Sequence, residues 1–207
     1  MSKRKVASSR PYHHGHLREA LIAAAEELLR EQGAAKLSLR AAARRIGVSQ
    51  AAPYAHFDSR QALLAAVAVR GFNRLSECLA AADNRTADSA ERMHSLARGY
   101  VRFAVDQPMA FRLMFGAELS GYGDPVLQAA ARKSYTFIQA TVAARVGETG
   151  VGHVSATEAS LGAWSLVHGL AMLIVDGKLD WPTTEPERDA LVNRVAAVYS
   201  AGLTGSR

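Results

Sequence analysis

The sequence predicts an all-α protein, and three observations support this prediction. Apolar residues recur at helical spacing along most of the 207-residue chain. No segment alternates apolar and polar residues for long enough to indicate a strand. Residues that favour helix N-termini precede most of the periodic segments. We expect about nine helices, three in an N-terminal unit of residues 14–60 and the others in a larger unit of residues 61–207.

A basic arm precedes the first predicted helix. Residues 1–13 are polar and basic, and we expect them to be flexible. The helix is predicted from about His14 to Glu31 and ends near Gly33. Its apolar stripe consists of Leu17, Leu21, Ala25 and Leu28. A stripe of this kind indicates that one face packs against a core.

Residues 37–57, with the sequence LSLRAAARRIGVSQAAPYAHF, predict two short helices joined by a glycine turn. The first helix has an apolar face made of Leu39, Ala42, Ala43 and Ile46. Gly47 ends it where a left-handed cap is needed, and Ser49 is expected to cap the second helix. This layout is typical of a DNA-binding helix-turn-helix, whose second helix enters the major groove by its N-terminal residues.

Six further helices are predicted after this motif. Their approximate ranges are 58–82, 87–105, 109–116, 125–147, 155–176 and 186–203. Capping boxes are expected at three of them, formed by Asp58 with Gln61, Ser155 with Glu158, and Thr184 with Glu187. Asp124 followed by Pro125 marks another start, because proline is well tolerated at the first helical position.

The positive charge of the chain lies near its N-terminus. Residues 1–60 contain eleven Lys and Arg against five Asp and Glu, whereas residues 61–207 contain fourteen of each. The formal net charge of +6 therefore falls on the segment that carries the helix-turn-helix. A charge confined in this way indicates a surface for nucleic-acid phosphates, and the alternative is a merely basic tail.

Other features narrow the class of protein. The single cysteine, Cys78, excludes an intramolecular disulfide and fits the reducing cytoplasm. We expect no membrane span, because no apolar run reaches the ~18–20 residues required. We expect no signal peptide either, because the charged N-terminus is not followed by an apolar core. No nucleophile with its base, phosphate-binding loop or paired carboxylates stands at workable spacing, so neither an enzyme nor a cofactor is expected.

The chain resembles the tetracycline-repressor (TetR) family of transcriptional regulators along its whole length. The resemblance is most specific in residues 17–64, which contain LREALIAAAEELLREQG, then the helix-turn-helix, then DSRQALL. The motif Trp-x-x-x-His-Gly, here Trp164, His168 and Gly169, resembles one branch of the family. The resemblance implies a homodimer whose N-terminal helices bind DNA and whose larger helical domain binds a small-molecule effector.

The second helix of the motif supplies the expected base contacts. Gln50 is the candidate for a base edge, because a carboxamide can bind adenine through two hydrogen bonds. Ser49 leaves the first N–H groups of the helix available to phosphate or base acceptors, and Ala51 offers a methyl contact to thymine. Pro53 departs from the bulky aliphatic residue that the family commonly has at this place. Its missing N–H is expected to be tolerable near the helix start.

Four residues are expected to contact the phosphate backbone. Arg40 and Arg60 suit phosphates on either side of the groove. The family resemblance places Tyr54 and His56 against phosphates as well. The alternatives are a core position for Tyr54 and a helix C-cap for His56.

Neighbouring residues have other expected roles. Phe57 is expected in the core, and Arg44 and Arg45 are expected in solvent on the outer face of their helix. The histidines of segment 13–16 suggest a metal site, but no Cys or carboxylate cluster completes a tetrahedral set, so we expect no metal. A partly protonated arm that touches the minor groove is the preferred interpretation.

The C-terminal helices carry candidate residues for an effector pocket. These are Met109, Phe111, Met114, Phe115, Tyr135, Trp164, His168 and Met172. Methionine and aromatic stripes at helical spacing are also typical of plain core. For Trp164, His168 and Gly169 the favoured alternative is a dimer interface, where Gly169 lets backbones approach and His168 is a hydrogen-bonded core group.

The last two predicted helices are apolar on more than one face. Such helices must be buried on several sides, and packing against the same helices of a second copy would form a two-fold four-helix bundle. Two recognition helices ~34 Å apart would then read a palindromic DNA operator. The resemblance to the TetR family implies a ligand-responsive repressor. The alternative is an architectural DNA-binding protein without a ligand switch.

Overall fold

Helices form all the regular secondary structure of the residues that the structure describes. The computed structural model describes residues 14–84, 87–150 and 154–203. Its eight α-helices are α1 (His14–Gln32), α2 (Leu39–Ile46), α3 (Arg60–Ala82), α4 (Ser89–Asp106), α5 (Pro108–Phe115), α6 (Pro125–Thr149), α7 (Ala156–Val175) and α8 (Glu185–Gly202). Three short 3₁₀ helices lie at Ala34–Lys36, Ala52–Ala55 and Ala117–Leu119. The all-α prediction is confirmed, and the predicted arm of residues 1–13 lies outside the described residues.

The chain divides into two units between Val67 and Ala68, within α3. The boundary predicted between residues 60 and 61 lies at the start of the same helix. The helix-turn-helix belongs to the N-terminal unit, and the candidate effector residues belong to the C-terminal unit.

In the N-terminal unit, α1 packs against α2. All four residues of the predicted α1 stripe are buried, and so are Ala42 and Ala43 on the facing side of α2. The small alanine side chains allow the two helices to approach closely, which fixes α2 on the longer helix. The predicted amphipathic faces thus form the core of this unit.

Both ends of α2 are capped by the residues that the local sequence favours. The Ser38 hydroxyl accepts a hydrogen bond from the Ala41 N–H at 3.1 Å. Gly47 adopts a left-handed conformation with φ 73°, as predicted. The Val48 N–H then donates to the Ala43 carbonyl at 3.1 Å, which completes a Schellman motif.

In the C-terminal unit, α4 packs against α6, α7 and α8. Two predicted helix starts are confirmed here. The Asp124 carboxylate accepts from the Leu127 N–H at 2.7 Å, ahead of Pro125. Ser155 and Glu158 form the predicted capping box at the start of α7.

Two predicted capping boxes are wrong. Helix α3 begins one residue later than expected, because the Ser59 hydroxyl rather than Asp58 accepts the first-turn N–H, that of Ala62, at 3.1 Å. At α8 the Thr184 hydroxyl donates to the Glu187 carboxylate at 2.7 Å and caps no backbone N–H.

Helix α7 is the most apolar element of the described residues. Its 20 residues reach a mean hydropathy of 1.4 over an 18-residue window, which is long and apolar enough to cross a membrane by length and composition alone. Core helices of proteins without membrane spans meet the same criterion, so the expectation of no membrane span stays a prediction. Because α7 packs against α4, α6 and α8, its composition is explained by contacts within the unit.

Candidate nucleic-acid interface and ligand cavities

The helix predicted to follow the glycine turn is a 3₁₀ helix, not an α-helix. It spans Ala52–Ala55 and has Ala51 at its N-cap, so the prediction that Ser49 caps it is wrong. Its first hydrogen bond joins the Ala52 N–H to the Ser49 carbonyl, three residues back, at 3.1 Å. An α-helix beginning here would need residue 53 to donate to that carbonyl, and Pro53 has no N–H. The recognition segment, residues 49–57, is thus tighter than predicted.

The recognition segment exposes three of the residues expected to contact DNA. Gln50, Ala51 and Tyr54 are exposed, and Tyr54 keeps 51% of its surface accessible. A 3₁₀ helix repeats every three residues, so Ala51 and Tyr54 lie on one side of the segment. The alternative that Tyr54 is a core aromatic is wrong, because core side chains are almost fully enclosed.

Two side chains hold the segment on the N-terminal unit. Pro53 is buried, and Phe57 is only 3% exposed, which confirms its predicted core position. The Arg18 guanidinium of α1 lies over the Phe57 ring at 5.4 Å from its centroid. The proline that prevents the α-helix therefore also anchors the segment.

Cations line the exposed face of α2. Arg40 and Arg44 are exposed and four residues apart, so they share one face of the helix. Ala42 and Ala43 occupy the buried side. The phosphate contact of Arg40 stays a prediction, and its exposure suits that role.

Arg60 has a structural role that the sequence did not indicate. Its Nε donates to the Leu37 carbonyl at 2.8 Å, and a terminal guanidinium nitrogen donates to the Ala34 carbonyl. These bonds tie the start of α3 to the 3₁₀ turn after α1. The predicted phosphate contact of Arg60 would have to use its remaining N–H groups and stays a prediction.

Arg45 is paired with α1. Its guanidinium donates to Glu27 at 3.1 Å and to Glu31 at 2.9 Å. These hydrogen bonds lower the pKa of Glu31 and raise that of Arg45. Arg45 therefore crosslinks α1 and α2 at the surface. Its partners, 14 and 18 residues away, could not be identified from the sequence.

His56 is half-buried at the C-cap position of the 3₁₀ helix. Its backbone N–H donates to the Pro53 carbonyl at 2.9 Å. The expected helix-end position of its backbone is thus observed. Its contact with phosphate stays a prediction.

Aromatic rings form a cluster in the C-terminal unit. Phe111 is fully buried and lies 5.0 Å from Phe115 and 5.4 Å from His168, measured between ring centroids. Trp164 extends the cluster, with its centroid 5.5 Å from that of His168. Tyr135 joins it through Trp164, at 5.6 Å between centroids, so five of the eight predicted pocket residues belong to one connected cluster.

Hydrogen bonds run through this cluster. The Trp164 indole N–H donates to the Tyr100 hydroxyl oxygen at 3.4 Å, and the Tyr100 oxygen lies 2.9 Å from His168 Nδ1. In the neutral tautomer that carries its proton on Nε2, the Tyr100 hydroxyl donates to Nδ1. Burial lowers the pKa of His168 and so favours the neutral form. His168 is therefore a hydrogen-bonded group inside an aromatic cluster.

We expect the free energy of unfolding to fall when the pH is lowered from about 7.5 to about 5.5. The pKa of His168 lies below its usual 6.5 in the folded state, so the unfolded chain binds more protons in this range and acid favours unfolding. His168→Asn keeps an acceptor for Tyr100 but does not titrate. Urea unfolding at both pH values should show a smaller decrease for this variant than for the wild type, and an equal decrease would contradict the assignment.

A surface cleft gathers half of the predicted pocket residues. Its space not filled by protein is about 960 Å³, much of it open to solvent, and its lining includes Met114, Phe115, Tyr135 and Trp164. Phe111 and His168 do not line the cleft but are in ring contact with Phe115, which does. The remaining two, Met109 and Met172, are half-buried and are not among the residues that line the cleft.

A second cavity, lined by no charged residue, lies between α4, α6, α7 and α8. Its space not filled by protein is about 570 Å³, part of which is open to solvent. Sequence reasoning missed it, because its Leu, Val and Ala residues have the pattern of ordinary core positions. The described residues contain no group of three or more His, Cys, Asp or Glu that could hold a metal ion.

Two family models match the chain. Residues 21–67 match the model described as bacterial regulatory proteins of the tetR family. Residues 93–199 match the model described as the tetracyclin repressor-like C-terminal domain. The matches fall on the helix-turn-helix and on the helices that surround the cavities. Neither description mentions the Trp-x-x-x-His-Gly branch, which stays a prediction.

Known regulators and solved structures are similar to the chain. An HTH-type transcriptional regulator of Mycobacterium tuberculosis is 36% identical over 114 residues, 52% of this chain and 49% of the relative. The chain thus spans about half the length of this curated relative. A protein with unknown function from Rhodococcus sp. RHA1 is 34% identical with a TM-score of 0.81, covering 95% of this chain and all of the other. A tetR-family regulatory protein from Rhodococcus RHA1, 18% identical, shares the fold with a TM-score of 0.67 over 92% of this chain and 98% of the other.

Proposed function

Because the chain belongs to the TetR family of transcriptional regulators, which are not enzymes, we propose that it is a ligand-responsive repressor that binds a palindromic operator as a homodimer. The observation that carries this proposal is the recognition segment, which is anchored by buried residues and exposes Gln50, Ala51 and Tyr54. The protein would act in the cytoplasm, where it meets DNA.

Some of the proposed DNA contacts read the base sequence, and others position the protein on the phosphate backbone. Gln50 would bind a base edge and Ala51 a thymine methyl group, while Arg40, Tyr54 and His56 would contact phosphates. The exposure of Arg40 and the excess of basic residues before residue 61 support an electrostatic contribution. Arg60 would contribute mainly by holding the start of α3.

A second copy of the chain would cover the exposed apolar side of α7 and α8. Leu161 and Leu173 of α7 are 54% and 46% exposed, and Val198 of α8 is 76% exposed. Apart from the backbone of its own helix and its two chain neighbours, no described atom lies within 4 Å of the position that a Cβ of Gly169 would take, so a partner backbone could approach there. These features support a two-fold bundle of the last two helices.

The ligand would relieve repression by a population shift. A dimer samples different spacings of its two DNA-binding units, and the operator binds only the spacing that fits successive major grooves. An effector bound in the C-terminal unit changes DNA affinity only to the extent that it binds one spacing more tightly than the other. The apolar cavity of this unit is the site we favour for it.

Fluorescence anisotropy on DNA from upstream of the protein's own gene tests the proposal. We expect affinity about a thousandfold tighter than for a scrambled duplex at the same near-physiological salt. Equal affinity for both duplexes would contradict an operator in this region and would favour an architectural DNA-binding protein. Absence of binding to either duplex at low salt would overturn the regulator proposal.

A further inference from the structure

One buried hydroxyl group in the apolar cavity has no hydrogen-bond partner among the described residues. Thr141 of α6 is 1% exposed, and its Oγ1 is buried. Other hydroxyls of the same helix donate to the carbonyl three residues back, as Ser134 does to Ala131 at 2.8 Å and Thr136 to Lys133 at 2.6 Å. A buried hydroxyl normally has a partner because leaving it unsatisfied is costly, so Thr141 requires an explanation.

The other polar groups of the cavity wall are already engaged. The Tyr100 hydroxyl is bonded to His168, and the Tyr199 hydroxyl donates to the Ala159 carbonyl at 2.7 Å. The rest of the lining is aliphatic or a thioether, and no charged residue belongs to it. The cavity therefore presents an apolar surface, and the buried Thr141 Oγ1 is the one polar side-chain atom of its lining without a hydrogen-bond partner among the described residues.

We propose that this cavity binds a neutral, largely apolar molecule whose single hydrogen-bonding group meets the Thr141 hydroxyl. A charged ligand is disfavoured, because its charge would be buried without a counter-ion. The apolar part of the ligand would contact residues from all four helices, such as Leu96, Ile138, Leu166 and Val195. This inference rests on the proposed function, in which a ligand of the C-terminal unit controls DNA binding.

Isothermal titration of the DNA-free, full-length protein with 1-octanol tests the inference. We expect 1-octanol to bind, and octanoate at neutral pH to bind too weakly to detect. Thr141→Val keeps the shape of the side chain but removes the hydroxyl, and should weaken 1-octanol binding about five- to tenfold. The matched control is Thr136→Val, which makes the same change at an exposed position of α6 and should bind as the wild type does.

Several outcomes would overturn the inference. These are no binding of 1-octanol to the wild type, equal affinity for octanoate, or equal affinity of Thr141→Val. Thr141→Ser retains a hydroxyl and should stay within about twofold of the wild type, which separates loss of the hydrogen bond from altered packing. Because no DNA is present, these results are independent of operator binding. Failure here with intact operator binding would leave the repressor proposal standing.

Discussion

Replacing Gln50 and Tyr54 together by alanine is expected to abolish operator-specific binding while leaving the fold intact. Both side chains are exposed, so their loss removes little core packing. The base contact of Gln50 contributes about 1–3 kcal/mol, and the phosphate contact of Tyr54 adds affinity for any duplex, so losing both should weaken operator binding by about a hundredfold. Binding to a scrambled duplex should change less, because only the Tyr54 contact is lost there and Arg40 and Arg44 remain. Fluorescence anisotropy on both duplexes at one salt concentration measures the ratio of the affinity for the operator to the affinity for the scrambled duplex.

Two controls make this result interpretable. Gln139→Ala removes an exposed glutamine of α6 and should leave the affinity for both duplexes unchanged. Arg40→Ala should weaken binding to both duplexes alike and reduce the salt dependence by about one counter-ion. If the double variant kept the wild-type ratio of affinities, the recognition segment would not be the reader of the operator.

The helix-turn-helix was largely predictable, because short-range interactions determine it. The stripe of α1, the alternation of buried alanines with exposed arginines on α2, and the left-handed Gly47 all follow from residues within a few positions of each other. Local rules also predicted the caps at Asp124 and Ser155. Where two capping residues were adjacent, as Asp58 and Ser59 are, the sequence did not distinguish them.

The conformation of the recognition segment was predicted wrongly for a physical reason. Pro53 was treated as tolerable in a first turn, but it removes the donor that would close the first α-helical hydrogen bond to Ser49. Charge and position on the helices predict Arg45 in solvent and Arg60 at a phosphate. Their partners lie 14 to 26 residues away, and only the packed helices bring them together.

The ligand cavity was the least predictable feature. Aromatic and methionine residues were selected because they stand out in a sequence, and half of them line the surface cleft. The apolar cavity is lined mainly by aliphatic residues of four helices. These residues recur with the periodicity of ordinary core positions. The sequence did not indicate that Thr141 is unpaired. Whether the hydroxyl of a helical threonine donates to a carbonyl of the preceding turn depends on its rotamer and not on the sequence pattern.

The double variant Leu173→Asp with Val198→Asp is expected to produce a monomer that has lost most of its operator affinity. Both side chains are exposed on the protomer, so the charges cost little in an isolated chain. In a two-fold interface each charge appears twice, buried without a partner, which opposes association. Because a dimer binds two half-sites at once, losing it should weaken operator binding by about 10²–10⁴-fold. Analytical ultracentrifugation and anisotropy on the same samples measure both effects.

Val126→Asp provides the matched control. Val126 is 61% exposed but lies at the start of α6, where an added acid suits the helix dipole and no partner is proposed. We expect this variant to keep both the dimer mass and the wild-type operator affinity. A monomer that still bound the operator tightly would show that α7 and α8 do not support recognition of a palindrome. If the double variant remained dimeric, a different face of the protein would have to join the two copies. Only the combined loss of dimer mass and operator affinity, absent in Val126→Asp, supports the two-fold bundle.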